Sequence, residues 1–269
     1  MKRLVKTIID EGVKIWYQWN DLHIGQRIAL GKYEPYLTKL ILESVDKNGV
    51  FVDVGANIGY YSLLSAKKGA KVWAIEPDDD NFAILKKNVK ENSLDKKIKL
   101  IKAGAGSKNG WAKMERSGVN FGAHKLMEGR VPAVAGQTPA GAGQEKIKII
   151  RLDDVIKEKV DVIKIDVEGM EAKVVAGAKN LIKKWQPMIF FEYGVNLRNG
   201  ELLNFLSNIY GGIFAIDEYR QFYRLADVKS LKNHEGNLMV KKNLGWEWKQ
   251  IKDVDWKKVV KKILGYNGL

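Results

Sequence analysis

The chain of 269 residues carries 46 Lys and Arg against 32 Asp and Glu, a formal net charge of +14, and 45% of its residues are hydrophobic. That balance describes a globular protein with room for one large α/β domain, and no apolar run reaches the roughly 18–20 residues that cross a bilayer. The absence of cysteine excludes disulfides, thiolate metal sites and thiol nucleophiles.

The start, MKRLVKTIIDEGVKIW, interrupts its apolar stretch with Asp10, Glu11 and Lys14. It fits neither a signal peptide nor a membrane anchor, so a cytoplasmic location is expected. The positive charge permits nucleic acid as a partner, or peripheral contact with a membrane. However, lysines such as Lys86, Lys87, Lys90, Lys183 and Lys184 are dispersed on the polar faces of predicted helices. A solvated lysine-rich surface is the simpler reading.

In residues 1–22, Leu4, Val5, Ile8, Ile9, Val13, Trp16 and Trp19 fall near helical spacing, which predicts an N-terminal amphipathic helix. A second helix is expected over 31–45, with Pro35 at its first position and Leu37, Leu40 and Ile41 as its stripe. Together they make a helical cap over 1–45, ahead of a catalytic domain over 46–242.

That domain opens with VFVDVGANIGYYSLL (50–64): a buried strand, a glycine turn and a helix. A Cβ in such a turn would obstruct both the chain and the approach of a bulky ligand. KVWAIEP (71–77) is a second strand, Asp78 to Asp80 cap a helix reaching about Asn92, and KIKLIKAGAG (97–106) is a third strand. The β-α-β-α-β order predicts a doubly wound, mostly parallel sheet with right-handed crossovers.

Residues 107–146 break the rhythm with a Gly- and Ala-rich run containing Pro132 and Pro139. A flexible substrate loop, with room for a β-hairpin, is expected there. The pattern resumes with a strand at 146–150, a short helix from Asp153, a strand at 160–169, a helix from Met170 to Trp185 and a strand at 187–194. A helix over 201–210 and three short strands follow. Residues 243–269 hold a basic amphipathic helix at 253–265, for which packing on the domain is the simplest role and contact with a membrane or polyanion a lesser one.

In an open parallel sheet the ligand sits beyond the carboxyl ends of the strands. Acids and glycines collect at those ends: Asp53 and Gly55, Glu76, Gly104, Asp166 and Glu168, and Glu192. Each acid alone could be a helix cap; five together point to a site. Glu76 follows Asp53 at about the separation at which a carboxylate grips ribose hydroxyls, a feature NAD would share. The turn nevertheless lacks the G-x-G-x-x-G register, and Asp53 directly ahead of it would repel a pyrophosphate. S-adenosylmethionine, with its cationic sulfonium and ammonium, suits these acids better.

The segments VFVDVGANIGYYSLL, AIEPDDDNFAILKKNV, RLDDVI, VDVIKIDVEGMEAKVVAGAKNLI and QPMIFFEYG together resemble the FkbM family of S-adenosylmethionine-dependent methyltransferases, across roughly Tyr33 to Val240. The resemblance implies a Rossmann-like fold with a seven-stranded sheet whose last strand is antiparallel. It also implies methyl transfer, usually to an oxygen of a sugar or other small polar metabolite, and it suggests that Ala103 and Gly104 border the adenine. The long 107–146 stretch and the basic tail are less typical of the family and lie where acceptor choice would be made.

Gly55, Ala56, Asn57, Ile58, Gly59 and Tyr60 are expected to line the methionine and ribose of the cofactor. Asp53 would hold the amino end, directly or through water, and Glu76 the ribose with help from Asp78. Asp166 and Glu168 share a face if their strand continues through them, and with Glu192 they are the candidates for the base that removes an acceptor proton. Alternatively, Asp166 faces the cofactor while Glu168 caps the next helix or pairs with Lys164. His124 and His234 are lesser candidates. No complete metal-ligand set is expected. RNA methylation and a non-catalytic S-adenosylmethionine-binding domain stand as the alternative functions. No motif of the N-P-P-Y kind ends the fourth strand, which weighs against the first.

Overall fold

The computed structural model describes residues 3–115, 125–127, 145–194, 200–226, 231 and 235–242. The chain begins with a hairpin of β1 (Leu4–Ile8) and β2 (Lys14–Gln18), followed by α1 (Gly25–Ala29) and α2 (Pro35–Ser44). The expected N-terminal helix is therefore corrected. Leu4 pairs with Gln18 and Ile8 with Lys14 across a turn in which Glu11 and Gly12 take left-handed conformations. The β-branched residues suit a pleated strand, and their spacing satisfied both periods. The segment ahead of β3 is thus a hairpin plus two helices among the described residues.

Next come β3 (Val50–Val54), α3 (Tyr60–Lys67), β4 (Lys71–Ile75), α4 (Asp79–Glu91), β5 (Ile98–Ile101) and β6 (Gly104–Ala105). The predicted strand over 97–106 is thereby split, with β5 and β6 in different sheets. The chain continues with β7 (Gly110–Glu115), β8 (Lys125–Met127), β9 (Glu145–Ile150), α5 (Leu152–Val155), β10 (Val162–Ile165), α6 (Glu171–Gly177) and α7 (Lys179–Trp185). The last two replace the single helix expected from Met170, which breaks at Ala178. Then follow β11 (Met188–Tyr193), α8 (Gly200–Tyr210), β12 (Ile213–Asp217), β13 (Phe222–Ala226) and β14 (Gly236–Val240).

The main sheet runs β13-β12-β14-β11-β10-β3-β4-β5. Its parallel half, β5 to β11, turns back on itself between β3 and β10: the chain moves outward from β3 to β5, then returns to the other side of β3. The last strand, β14, lies antiparallel to β11 and β12. The sheet has eight strands rather than seven, because β13 folds back on β12 as an edge hairpin.

Strand residues alternate between two cores. Val52, Val54, Ile163 and Ile165 pack with α6, α7 and α8; Phe51, Val72, Val162 and Phe190 pack with the N-terminal segment, α2, α3 and α4. Burying a side chain such as Phe51 or Phe190 contributes about 1.5–3 kcal/mol. On the second face, Asn88 of α4 and Asn92 at its C-terminal cap hold the hairpin. Each accepts from a β2 amide (Trp16 and Lys14, 2.7 and 2.8 Å) and donates to the same residue's carbonyl (3.0 and 2.7 Å). The asparagines do for the β2 edge what another strand would.

Part of the 107–146 stretch belongs to a second sheet, ordered β6-β9-β7-β8, in which β7 and β8 are antiparallel. The rest of the expected substrate loop, the basic C-terminal helix, His124 and His234 lie outside the described residues. No helix among the described residues is long and apolar enough to cross a membrane.

Candidate functional site

The site forms where the parallel strands end. Val54 closes β3, and Gly55 follows in a left-handed conformation (φ +80°) with its amide and that of Ala56 donating to the Ile75 carbonyl. A Cβ on Gly55 would lie 1.8 Å from the Asp166 carbonyl oxygen, so the turn and the end of β10 pass in direct backbone contact. Asn57 is left-handed as well (φ 51°), and Gly59 (φ 94°) opens α3, where a Cβ would meet Leu85 at 2.5 Å. The glycines are thus needed for two different close approaches.

Glu76, at the end of β4, closes over this turn. Its two oxygens accept from the Asn57 amide (2.8 Å) and the Asp78 amide (3.0 Å). Burial outweighs those bonds and raises its carboxyl to about 7. Asp78 caps α4 through the Asn81 amide at 2.9 Å. This cap stabilises by about 1 kcal/mol.

A cavity of about 290 Å³ lies against the turn. Gly55, Ala56, Asn57, Ile58, Tyr60, Glu76, Ala103, Gly104, Asp166, Glu168 and Glu192 all line it. Three other expected residues do not: Asp53 and Asp78 are buried behind the wall, and Gly59 belongs to the helix start. Asp53 accepts from the Ser62 hydroxyl at 2.6 Å through Oδ2, while its buried Oδ1 has no partner among the described residues. Burial raises its carboxyl from the ordinary value.

At the other end, Asp166, Glu168 and Glu192 bring carboxylate oxygens within 4.8 Å of one another. The strand does not continue through Asp166 and Glu168 as expected. It stops at Ile165, and the chain turns through Glu168 (φ 50°) and Gly169 (φ 95°). The turn, rather than strand alternation, brings both acids to the cavity. Burial and the charges of Asp166, Glu168 and Glu171 raise the Glu192 carboxyl to about 8, and Glu192 is hydrogen-bonded to Asp166. Glu171 secures the turn from below, accepting from the Val167 and Gly169 amides at 3.3 and 3.2 Å.

Several lining residues were not singled out from the sequence. Tyr33 and Glu34 precede α2, Tyr61 follows the glycine turn, and His23, Ile24 and Arg27 come from α1 and the residues before it. Tyr61 donates to Glu34 at 2.6 Å, and burial together with Glu34 pushes the phenols of Tyr33 and Tyr61 well above their ordinary range. Lys164 takes up Asp166 (2.9 Å) rather than Glu168. Its signal in the sequence was a lone charge inside the apolar strand VIKI.

Residues 53–224 match the family profile described as the methyltransferase FkbM domain. The chain is 29% identical over 155 residues to the hexuronic acid methyltransferase AglP of Haloferax volcanii, an alignment covering 56% of this chain and 58% of AglP. It is 26% identical over 181 residues to the methyltransferase sdnD of Sordaria araneosa, covering 54% of this chain and 70% of that protein. A crystal structure of an FkbM methyltransferase from Methylobacillus flagellatus KT aligns at 21% identity with a TM-score of 0.48, over 72% of this chain and 44% of that one. The chain therefore spans less than two thirds of the length of AglP and of the Methylobacillus protein.

Proposed function

The chain belongs to the FkbM methyltransferase family, and on that premise we propose that it transfers a methyl group from S-adenosylmethionine to an oxygen of a sugar or other small polar metabolite. The observation that carries this reading is the single cavity shared by the glycine turn, Glu76 and the three carboxylates at the ends of β10 and β11.

The residues present fit this cofactor. Gly55 and Gly59 let the turn pack directly against Asp166 and Leu85, and the acids Glu76, Asp166, Glu168 and Glu192 around the cavity suit a cationic sulfonium and ammonium. Bound S-adenosylmethionine supplies an electrophilic methyl group on a sulfonium. Glu76 accepts from ribose hydroxyls with the lone pairs its two backbone amides leave free, and Ala103 and Gly104 give a flat border for adenine. Ala56, Ile58 and Tyr60 contribute the apolar wall. Asp53 acts from behind that wall, through its uncommitted oxygen and an intervening water.

Methyl transfer to a hydroxyl needs in-line placement and removal of one proton. Glu192 suits the proton removal, because in its ionised form a carboxylate titrating near 8 is a stronger base than an ordinary one. Glu168 confines the acceptor beside it. That AglP is named for a hexuronic acid supports a carbohydrate acceptor here too.

The test is a panel of acceptors incubated with methyl-labelled S-adenosylmethionine, comprising hexuronic acids, neutral hexoses, small hydroxylated metabolites and total RNA. Label in a carbohydrate or small metabolite, stable to mild base as an ether is, is the expected result. Label confined to RNA would overturn the acceptor class, and failure to consume donor with any of them would favour a binding domain.

A further inference from the structure

Lys164 is the one fully buried lysine or arginine among the described residues. It sits on β10 opposite Asp53 of β3, on the same face of the sheet, and its tip reaches the cavity. Its ammonium donates to Asp166 Oδ2 at 2.9 Å and lies 4.9 Å from the centre of the Tyr61 ring. Burial alone would discharge it, but Asp166, Asp53 and Glu34 outweigh that and raise its pKa. A buried ion pair beginning on an otherwise apolar strand is often no better for stability than apolar side chains of the same volume. The pair therefore invites a reading in terms of a ligand.

We propose that Lys164 and Asp166 together receive the α-amino-acid end of S-adenosylmethionine, Lys164 taking the carboxylate and Asp166 the ammonium. The inference rests on the cofactor reading above. Three observations carry it. The first is position: Glu76 and Asp166 follow strands on opposite sides of β3, so a ligand whose ribose lies at Glu76 crosses the Gly55 turn and ends at β10. The second is charge, since the amino-acid end is a zwitterion and a fixed pair of opposite sign is its complement. The third is capacity: one of the three donors of Lys164 serves Asp166, which leaves others for a carboxylate. Arg27 is the other permanently charged cation of the cavity lining, and it is exposed on α1.

Calorimetric titration of the full chain with two probes separates these roles. S-adenosylhomocysteine carries the amino-acid end; methylthioadenosine keeps the adenosine and thioether and lacks it. Lys164→Met is expected to weaken S-adenosylhomocysteine by about 10- to 100-fold, the range for hydrogen bonds to charged groups, while methylthioadenosine binding stays nearly unchanged. Lys164→Arg should restore part of the loss. An equal loss for both probes, no loss for either, or a selective loss in Arg27→Gln instead would overturn the assignment. Should Lys164→Met fail to fold, the wild type decides. Decarboxylated S-adenosylmethionine should then bind about tenfold or more weakly than S-adenosylmethionine, and equal affinity would refute the carboxylate contact. A wild type that binds none of these probes would instead refute the cofactor reading, and the inference with it.

Discussion

The two ends of the cavity are built from different materials. At the Glu76 end the ligand surface is largely backbone: left-handed turn residues, amides committed to Ile75 and Glu76, and glycines that tolerate no Cβ. At the Asp166 end it is side-chain charge: three carboxylates within 4.8 Å and a buried lysine beneath them. A backbone-built surface is sensitive to shape, and here Glu76 is what makes it respond to pH; a charge-built one keeps its shape under isosteric change and responds to protons throughout. On the proposals above, the first serves the adenosine part of the cofactor, and the second serves both its charged end and the acceptor.

The largest effect is expected from breaking the backbone end. Gly55→Val should abolish measurable binding of S-adenosylmethionine, because the new side chain collides with the Asp166 carbonyl. The left-handed conformation alone should cost about 1–3 kcal/mol of stability, measurable by denaturant melts. Normal affinity in that variant would show that the ligand does not cross this turn.

At the charge end, Glu192→Gln should lower turnover by about 10²–10⁴-fold, the usual contribution of a general base, with cofactor affinity little changed. In the wild type only the ionised form of Glu192 accepts a proton, and its carboxyl titrates near 8. The rate constant kcat/KM for the acceptor found in the panel should therefore rise with pH until about 8 and then level. Persistence of that rising limb in Glu192→Gln would assign the base elsewhere.

A smaller effect is expected from Glu76→Ala, which loses hydrogen bonds from the ribose. Binding should weaken by about 1–3 kcal/mol in a calorimetric titration. Unchanged affinity would sever Glu76 from the ribose. The smallest effect on binding belongs to Tyr210→Phe, which leaves the buried Pro187 carbonyl without its donor. That change should lower stability by about 1–3 kcal/mol through a buried group left unpaired and leave the cofactor affinity close to wild type.

The same contrast explains how much was legible beforehand. Apolar strands with their terminal acids, such as 50–54 and 162–165, announce themselves through local pattern, and so does the glycine turn. The N-terminal hairpin did not, because Leu4, Val5, Ile8 and Ile9 satisfy two periods at once. What decides between them is a pair of asparagines more than 70 residues away, on α4 and at its C-terminal cap. Glu34 and Tyr61 reach the cavity through tertiary packing alone, joined to each other across 27 positions. Lys164 was visible as an anomaly in an apolar strand, but only the fold gives it Asp166 and Asp53 as neighbours. The eighth strand, Phe222–Ala226, is among the three short strands expected after 201–210; its place at the sheet edge beside β12 comes from the fold.

The central claim is that the cavity takes S-adenosylmethionine, and titration of the wild-type chain with S-adenosylhomocysteine and, separately, with NAD tests it most directly. The account predicts saturable binding of S-adenosylhomocysteine at one site per chain and no binding of NAD. Saturable binding of NAD with none of S-adenosylhomocysteine would contradict it.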